Sequence, residues 1–373
     1  VPSGLCSDSG MVIGEESGSL DSDLTVTFHS PKVGQVLFDG PSACGKIVVK
    51  GIGLSTDKKL ATEAVGLAAA PNSVWQKICE SHKYTHGHAL ILSGGLGKTG
   101  AARLAARGAL RIGAGLVTVA CPSAALPEVA AQTTALMCRP LDGAAALADA
   151  LTDDRLNALC LGPGMGVGAD TRQLVLTALA ASNPAPPPEP GPHGQTVRGP
   201  GSSPGRAVVL DADALTSFTD DPDTLFNALN KRTVLTPHGG EFRRLFPDIA
   251  DKLAAPTVKG PAYSKVDATR DAAARAGCTV LFKGPDTVIA DQEGFCAINS
   301  SAYDRAAPWL ATAGSGDVLA GFITGLLARG YPPMQAAETA AWLHTECALS
   351  FGPGLIAEDL PEELPKVFRA LNL

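Results

Sequence analysis

The sequence is poor in charge: 18% of its 373 residues are Asp, Glu, Lys or Arg, against 45% apolar residues. That balance excludes a disordered chain, which lacks the apolar surface needed to offset the entropy of ordering. Basic residues are outnumbered, 30 to 37, for a net charge of −7. A polyanion such as nucleic acid is therefore a poor partner, although a locally positive pocket could still hold a small anion. No apolar run reaches the ~18 residues of a membrane helix, and no basic segment followed by an apolar one marks a signal peptide. The nine cysteines are odd in number and form no C-x-x-C pair. This argues against a disulfide scaffold or a zinc knuckle, and for reduced, mostly buried thiols in a cytoplasmic protein. The first residue is Val, so the expectation is a piece of a longer chain.

What is present is an α/β pattern. Residues 1–20 are rich in Gly and Ser and read as weakly structured. Leu24–Phe28 alternates and Lys46–Ile52 is β-branched, so both read as strands, too little for a domain of their own. Residues 53–80 read as a polar connection. From about residue 85, short apolar strands alternate with helices: 89–92, a helix over 100–112, then 116–120, 158–161, 207–210, 233–235 and 278–282. Strands that are apolar throughout belong to a mostly parallel sheet covered on both faces. Each ends in glycine or polar residues, and ligands of open parallel sheets bind along that edge. Residues 183–206, rich in Pro, Gly and Ser, read as an insertion in one helix-to-strand loop, because the pattern resumes in phase after it.

The strongest local signal is Gly314-Ser315-Gly316-Asp317, followed by apolar residues at helical spacing. Glycines in the first turn of a buried helix let backbone N–H groups approach a phosphate, and the helix dipole favours its charge. An Asp in that turn can deprotonate a hydroxyl beside the phosphate; alone, it could equally be a helix cap. Three other strand ends add to it. Thr236-Pro237-His238 leads to Glu241, a site group or a capping box. Lys283-Gly284-Pro285-Asp286-Thr287 sets a lysine where a phosphate would lie. Asp211-Ala212-Asp213 offers two carboxylates suited to Mg²⁺ or a ribose hydroxyl. Gly97-Lys98-Thr99 imitates a P-loop, but the first glycine of that motif falls on Leu92. His82, His86 and His88 lack the partners of a metal site and read as solvated or packing residues.

Taken in order, these blocks carry a resemblance. Residues 83–370 resemble the ADP-dependent NAD(P)H-hydrate dehydratases, a branch of the ribokinase-like superfamily. The matching segments are Ser93-Gly94-Gly95 with Thr99-Gly100-Ala101, Arg111 to Thr118, Gly162 to Gly166, Leu210 to Leu215, Leu235 to His238, Lys283-Gly284 with Thr287, and Gly314 to Gly321. Residues 23–53 resemble the last strands of the NAD(P)H-hydrate epimerase domain that precedes the dehydratase in bifunctional members. The implied division is an epimerase remnant over 1–55, a connector over 56–82 and a dehydratase domain over 83–373.

The resemblance implies a three-layer ribokinase-like sandwich. It also implies repair of the hydrates NADHX and NADPHX by phosphorylation of the ring hydroxyl, with ADP (ATP in eukaryotic relatives) and Mg²⁺, and elimination of phosphate. Carried over by position, Ala101, Gly164, Gly166, His238 and Asp317 would face the hydrate, with Asp317 as base. Lys283, Gly284, Pro285, Asp286, Thr287 and Gly316 would hold the adenine nucleotide. A homo-oligomer, a tetramer in the family, is implied too, with no nucleic-acid or membrane partner. Two departures stand out: Gly239-Gly240-Glu241 replaces the usual Pro-Gly-Glu, and Asn299–Leu310 replaces a glycine-rich stretch. A small-molecule kinase of the same fold shares the Gly314–Asp317 turn and is the alternative. A binding or scaffold protein is disfavoured, because every candidate chemical residue is present.

Overall fold

The computed structural model describes residues 1–14, 21–54, 64–71, 77, 82–182, 205–258 and 260–373. Along the chain these carry strands β1 (Leu24–Phe28), β2 (Lys46–Lys50), β3 (Val65–Leu67), β4 (His88–Leu92), β5 (Leu116–Cys121), β6 (Met137–Pro140), β7 (Leu156–Leu161), β8 (Ala207–Leu210), β9 (Thr233–Leu235), β10 (Thr279–Phe282), β11 (Asp286–Ala290) and β12 (Cys296–Ser300). The chain forms two compact units. The first comprises Val1–Gln76, Leu235–Ser315 and Ala337–Leu373; the second comprises Lys77–Val234 and Gly316–Ala336.

In the second unit the strand order is β8-β7-β4-β5-β6, with every pairing parallel. All of β4 and β8 is buried, as strands covered on both faces require. The Gly100–Arg111 helix packs on β4 and β5, and its Ala102, Ala105, Ala106 and Ala109 are buried. His88 is a packing residue: its Nε2 lies 2.7 Å from Thr118 Oγ1, and its N–H donates to Asn157 Oδ1. The body of the Pro-rich insertion lies outside the described residues, but its last residue, Arg206, is tied down. Its guanidinium donates to the carbonyls of Leu151, Asp153, Leu156 and Ala181.

In the first unit the order β3-β12-β11-β10 is mixed. β3 and β12 are parallel; β12, β11 and β10 run antiparallel. Sequence periodicity had not separated β11 and β12, because antiparallel hairpins buried on both faces lose the alternation that marks them. Val65–Leu67, within the expected connector, is a strand added at the edge of β12. β1 and β2 pair in parallel as a separate two-stranded sheet. The first residues are more ordered than their composition suggests. Leu5 bridges Val12 and packs with Ala43 and Cys44, and Asp8 accepts from the Ala262 N–H. Glycine makes this possible: a Cβ on Gly10 would lie 2.3 Å from the Leu37 carbonyl oxygen. All eight described cysteines are free, and seven are buried. Among the described residues, no helix is long and apolar enough to cross a membrane.

The Ser315–Ala328 helix, from Gly316 onward, belongs to the second unit, where glycines let it lie close against the Gly100–Arg111 helix. A Cβ on Gly321 would meet Ala105 O at 2.1 Å, and one on Gly325 would meet Ala109 O at 2.6 Å. The far end is fixed by Asn157, whose Nδ2 donates to Ala328 O at 2.7 Å. Replacing a mid-helix glycine by alanine normally gains up to about 1 kcal/mol of helix propensity. At Gly321 the collision is with backbone, which cannot step aside, and overpacking of that kind costs about 1–3 kcal/mol. Gly321→Ala should therefore lower the urea midpoint, whereas Gly95→Ala, with nothing within 4 Å of its Cβ, should leave it nearly unchanged. Equal midpoints for the two variants would show that the helices are free to separate.

Candidate functional site

In the second unit, the helix–helix register sets the first chemical group. Ala105 lies against Gly321 and Ala109 against Gly325, a step of one turn on each helix. Asp317 stands in the first turn of its helix, half-buried, with Gly314 just before it at φ 87°. The Gly162–Gly166 turn closes on Ala101 of the facing helix. The Cβ of Ala101 would lie 3.5 Å from one on Gly164, and a Cβ on Gly94 would strike Gly164 O at 1.8 Å. Ala101 and Gly164 are thus brought together, and small residues keep the space open.

The acidic strand end is more constrained than its sequence suggests. Asp211 is buried, and Asp213 accepts from the Gly166 N–H at 2.8 Å. Between them, Ala212 has φ 47° and ψ −117°. That conformation costs a residue with a side chain about 1–3 kcal/mol, and such outliers concentrate at functional sites. Part of the Asp213 carboxylate is therefore used to hold the Gly166 turn. Among the described residues, no three His, Cys, Asp or Glu side chains cluster as a metal site. Gly97-Lys98-Thr99 does not form a phosphate-wrapping loop. Glu128 accepts from Gly97 N–H and from the Thr99 hydroxyl, and these bonds hold its carboxyl below the usual range.

The first unit gathers the basic groups. His238 forms the capping box that its spacing allows. Its Nδ1 accepts from Gly240 N–H at 2.9 Å, and Glu241 accepts from His238 N–H at 2.8 Å. Nδ1 is thereby an acceptor and the ring proton sits on Nε2, which lies 3.5 Å from Glu241. The Lys283 N–H donates to Pro237 O, and its ammonium lies 3.9 Å from Glu241. Thr287 closes the turn, donating to Gly284 O at 2.7 Å and accepting from Gly284 N–H at 3.2 Å. Beside this turn is a cavity of about 570 Å³ lined by Val36, Phe38, Leu253 and the Phe242 and Phe282 rings, which stack 4.0 Å apart.

Two buried residues here had no sequence signal beyond helical position. Lys265 lies beneath the Lys283–Asp286 turn, 2.6 Å from the Asp286 carboxylate. Burial lowers the pKa of its ammonium, and Asp286 opposes that shift. His344 lies under the Ser315 turn, with Nε2 2.9 Å from Ser315 O and 3.3 Å from Ser315 Oγ. A carbonyl can only accept, so Nε2 carries the proton. Asp317 and Gly316 follow Ser315 directly in the chain.

Comparison with known proteins shows the family and the fold. The profile of the NAD(P)H-hydrate dehydratase family matches residues 89–366. The bifunctional NAD(P)H-hydrate repair enzyme Nnr of Moorella thermoacetica is 34% identical over 100% of this chain and 66% of its own length. That of Salinibacter ruber is 33% identical over 98% and 64%. The chain thus spans about two thirds of the length of the curated relatives it matches. Among solved structures, the ADP/ATP-dependent NAD(P)H-hydrate dehydratase of Bacillus subtilis, co-crystallised with ATP and Mg²⁺, superposes with a TM-score of 0.60. It is 28% identical and covers 79% of this chain and 94% of its own. A ribokinase-like protein of Enterococcus faecalis, 20% identical with a TM-score of 0.60, shares the fold.

His344 gives the site a pH signature. Burial pushes its pKa down to about 4 from 6.5, so the folded chain keeps the ring neutral where the unfolded chain protonates it. The stability held by the neutral ring is complete above pH 6.5. It is lost as pH falls towards 4, at up to about 1.4 kcal/mol per pH unit. Urea unfolding from pH 7 to pH 4 should show this loss, and His344→Gln, which can still donate to Ser315 O, should flatten it. An unchanged slope in the variant would show that other groups cause the acid sensitivity.

Proposed function

The chain belongs to the NAD(P)H-hydrate dehydratase family, and we propose that it carries out the dehydration of the S forms of NADHX and NADPHX at the expense of ADP or ATP. The observation that carries this reading is the turn Gly314–Asp317. It opens a buried helix and carries the half-buried carboxylate of Asp317 in its first turn. A helix start of this kind favours a phosphoryl group.

The chemistry follows from the groups available. Asp317 accepts the proton of the hydrate hydroxyl as that oxygen attacks the terminal phosphorus of the nucleotide. AMP leaves if ADP is used, or ADP if ATP is used. The new C–O–phosphate bond then breaks, the neighbouring ring carbon gives up a proton, and the carbon–carbon double bond returns with release of inorganic phosphate. Ala101, Gly164, Gly166 and His238 serve the hydrate. Lys283, Gly284, Thr287 and Gly316 serve the nucleotide, with Lys283 countering phosphate charge. Mg²⁺ binds largely through substrate phosphates and waters, and one or two carboxylates suffice for it. Asp211 and the unshared oxygen of Asp213 are the carboxylates of this chain that fit that need.

The Bacillus subtilis relative crystallised with ATP and Mg²⁺ supports the choice of co-substrate. Free, mostly buried thiols suit a reducing compartment, and we place the protein in the cytoplasm. The homo-oligomer of the family is the expected assembly. A kinase of the same fold would stop at the phosphorylated alcohol, and the family match favours elimination.

The test is incubation with S-NADHX or S-NADPHX and ADP or ATP, following dihydropyridine absorbance and inorganic phosphate together. Equal release of both is expected, and a stable phosphorylated product without absorbance would establish the kinase instead. Asp317→Asn keeps the shape and the capping ability of the residue but cannot accept the proton. Turnover should fall roughly 10²–10⁴-fold with ADP affinity retained. A variant within about tenfold of the parent would remove Asp317 from the role of base.

A further inference from the structure

We propose that Lys265 is the positioning residue of the nucleotide turn, and that Asp286 serves nucleotide binding through this buried lysine rather than as a ligand. The inference rests on the reading above that Lys283–Thr287 holds the adenine nucleotide.

Lys265 is the first residue of the Lys265–Ala276 helix, whose start is fixed by a capping box between Ser264 and Asp267. Its side chain runs inward and is almost fully buried. An ammonium has three donors and no acceptor. Here the three face Asp286 Oδ1 at 2.6 Å, Asp286 O at 3.0 Å and Lys283 O at 3.4 Å. The Phe282 ring lies 4.5 Å away. The chain from Lys283 to Asp286 therefore turns around a single cation.

Two further observations show that the turn is built to that cation. A Cβ on Gly284 would lie 2.8 Å from both Lys265 Nζ and Asp286 Oδ1, so the pair occupies the space a side chain would need. The second carboxylate oxygen of Asp286 accepts from the Phe38 N–H at 3.1 Å. Both oxygens of Asp286 are thus taken by protein groups, and the residue is buried. What it contributes is the shape of the turn that presents Lys283.

The experiment measures ADP binding calorimetrically and steady-state kinetics with S-NADHX, on the whole chain. Lys265→Met and Asp286→Asn should each weaken ADP binding and raise its KM roughly 10- to 100-fold, the scale of losing a support behind a binding group. The KM for the hydrate and kcat at saturating ADP should change little. Lys283→Ala reports on the turn itself. If it loses ADP affinity while Lys265→Met and Asp286→Asn keep it, the positioning role is overturned and the nucleotide site stands. If Lys283→Ala keeps ADP affinity as well, the nucleotide reading of the turn falls, and this inference with it. Lys265→Met leaves Asp286 buried without its counter-ion and is the variant most exposed to misfolding. Asp286→Asn, nearly the same in shape, then carries the test, and a lowered thermal midpoint with unchanged ADP affinity in it would mark the pair as structural only.

Discussion

The structure of the catalytic end depends on two helices brought into backbone contact. Gly321 and Gly325 let the Ser315–Ala328 helix reach the backbone of Ala105 and Ala109, while its Phe322 ring packs on Gly108 of the other helix. Interiors are close-packed and barely compressible, so this contact fixes both the separation and the register of the helices. Asn157 then sets the opposite end, because one amide accepts from His88 N–H and donates to Ala328 O. With both ends set, the first turn of the helix has little freedom, and Asp317 is presented by a rigid element. For the base proposed above, such a support is better than a loop, because a reacting hydroxyl must be met within a fraction of an ångström.

The two units carry different chemistry. In the second, carboxylates and glycines predominate: Asp211, Asp213 and Asp317, with the turn from Gly162 to Gly166. In the first, Lys265, Lys283 and His238 lie around strand ends, with Glu241 and Asp286 buried as their counter-charges. A chain of net charge −7 can thus hold a locally basic turn. The cations are kept in place by buried partners, and a buried charge is tolerated only when paired and hydrogen-bonded. The same economy explains His344, which stays neutral in the interior and spends its Nε2 proton on the Ser315 carbonyl.

Much of the architecture was legible residue by residue. β4, β5, β7, β8, β9 and β10 stand where short apolar runs place them, because such runs between helices have one stable use, the interior of a sheet. The helix starts at His238 and Ser315 follow from cap and glycine signals that act locally. Less legible were β6, β11 and β12, and the ordered first residues. Met137–Pro140 is half-polar, β11 and β12 are buried on both faces yet mix polar and apolar residues, and residues 1–14 are held by Ala262, Leu37 and Ala43, all distant in sequence. Local pattern carries no information about such contacts.

The same boundary runs through the site. The sequence by itself marked the candidates, the carboxylate of Asp317, the ammonium of Lys283 and the glycine turns, because their identities and spacings suit anion sites and helix starts within a few residues of one another. Only the tertiary structure decided how those residues are used. It brought Ala101 against Gly164, engaged Asp213 with Gly166, and turned Asp286 inward to Lys265 and Phe38. A hydrogen bond such as Phe38 to Asp286, between positions 248 residues apart, depends on where the whole chain brings its surfaces together, and no stretch of sequence contains that distance.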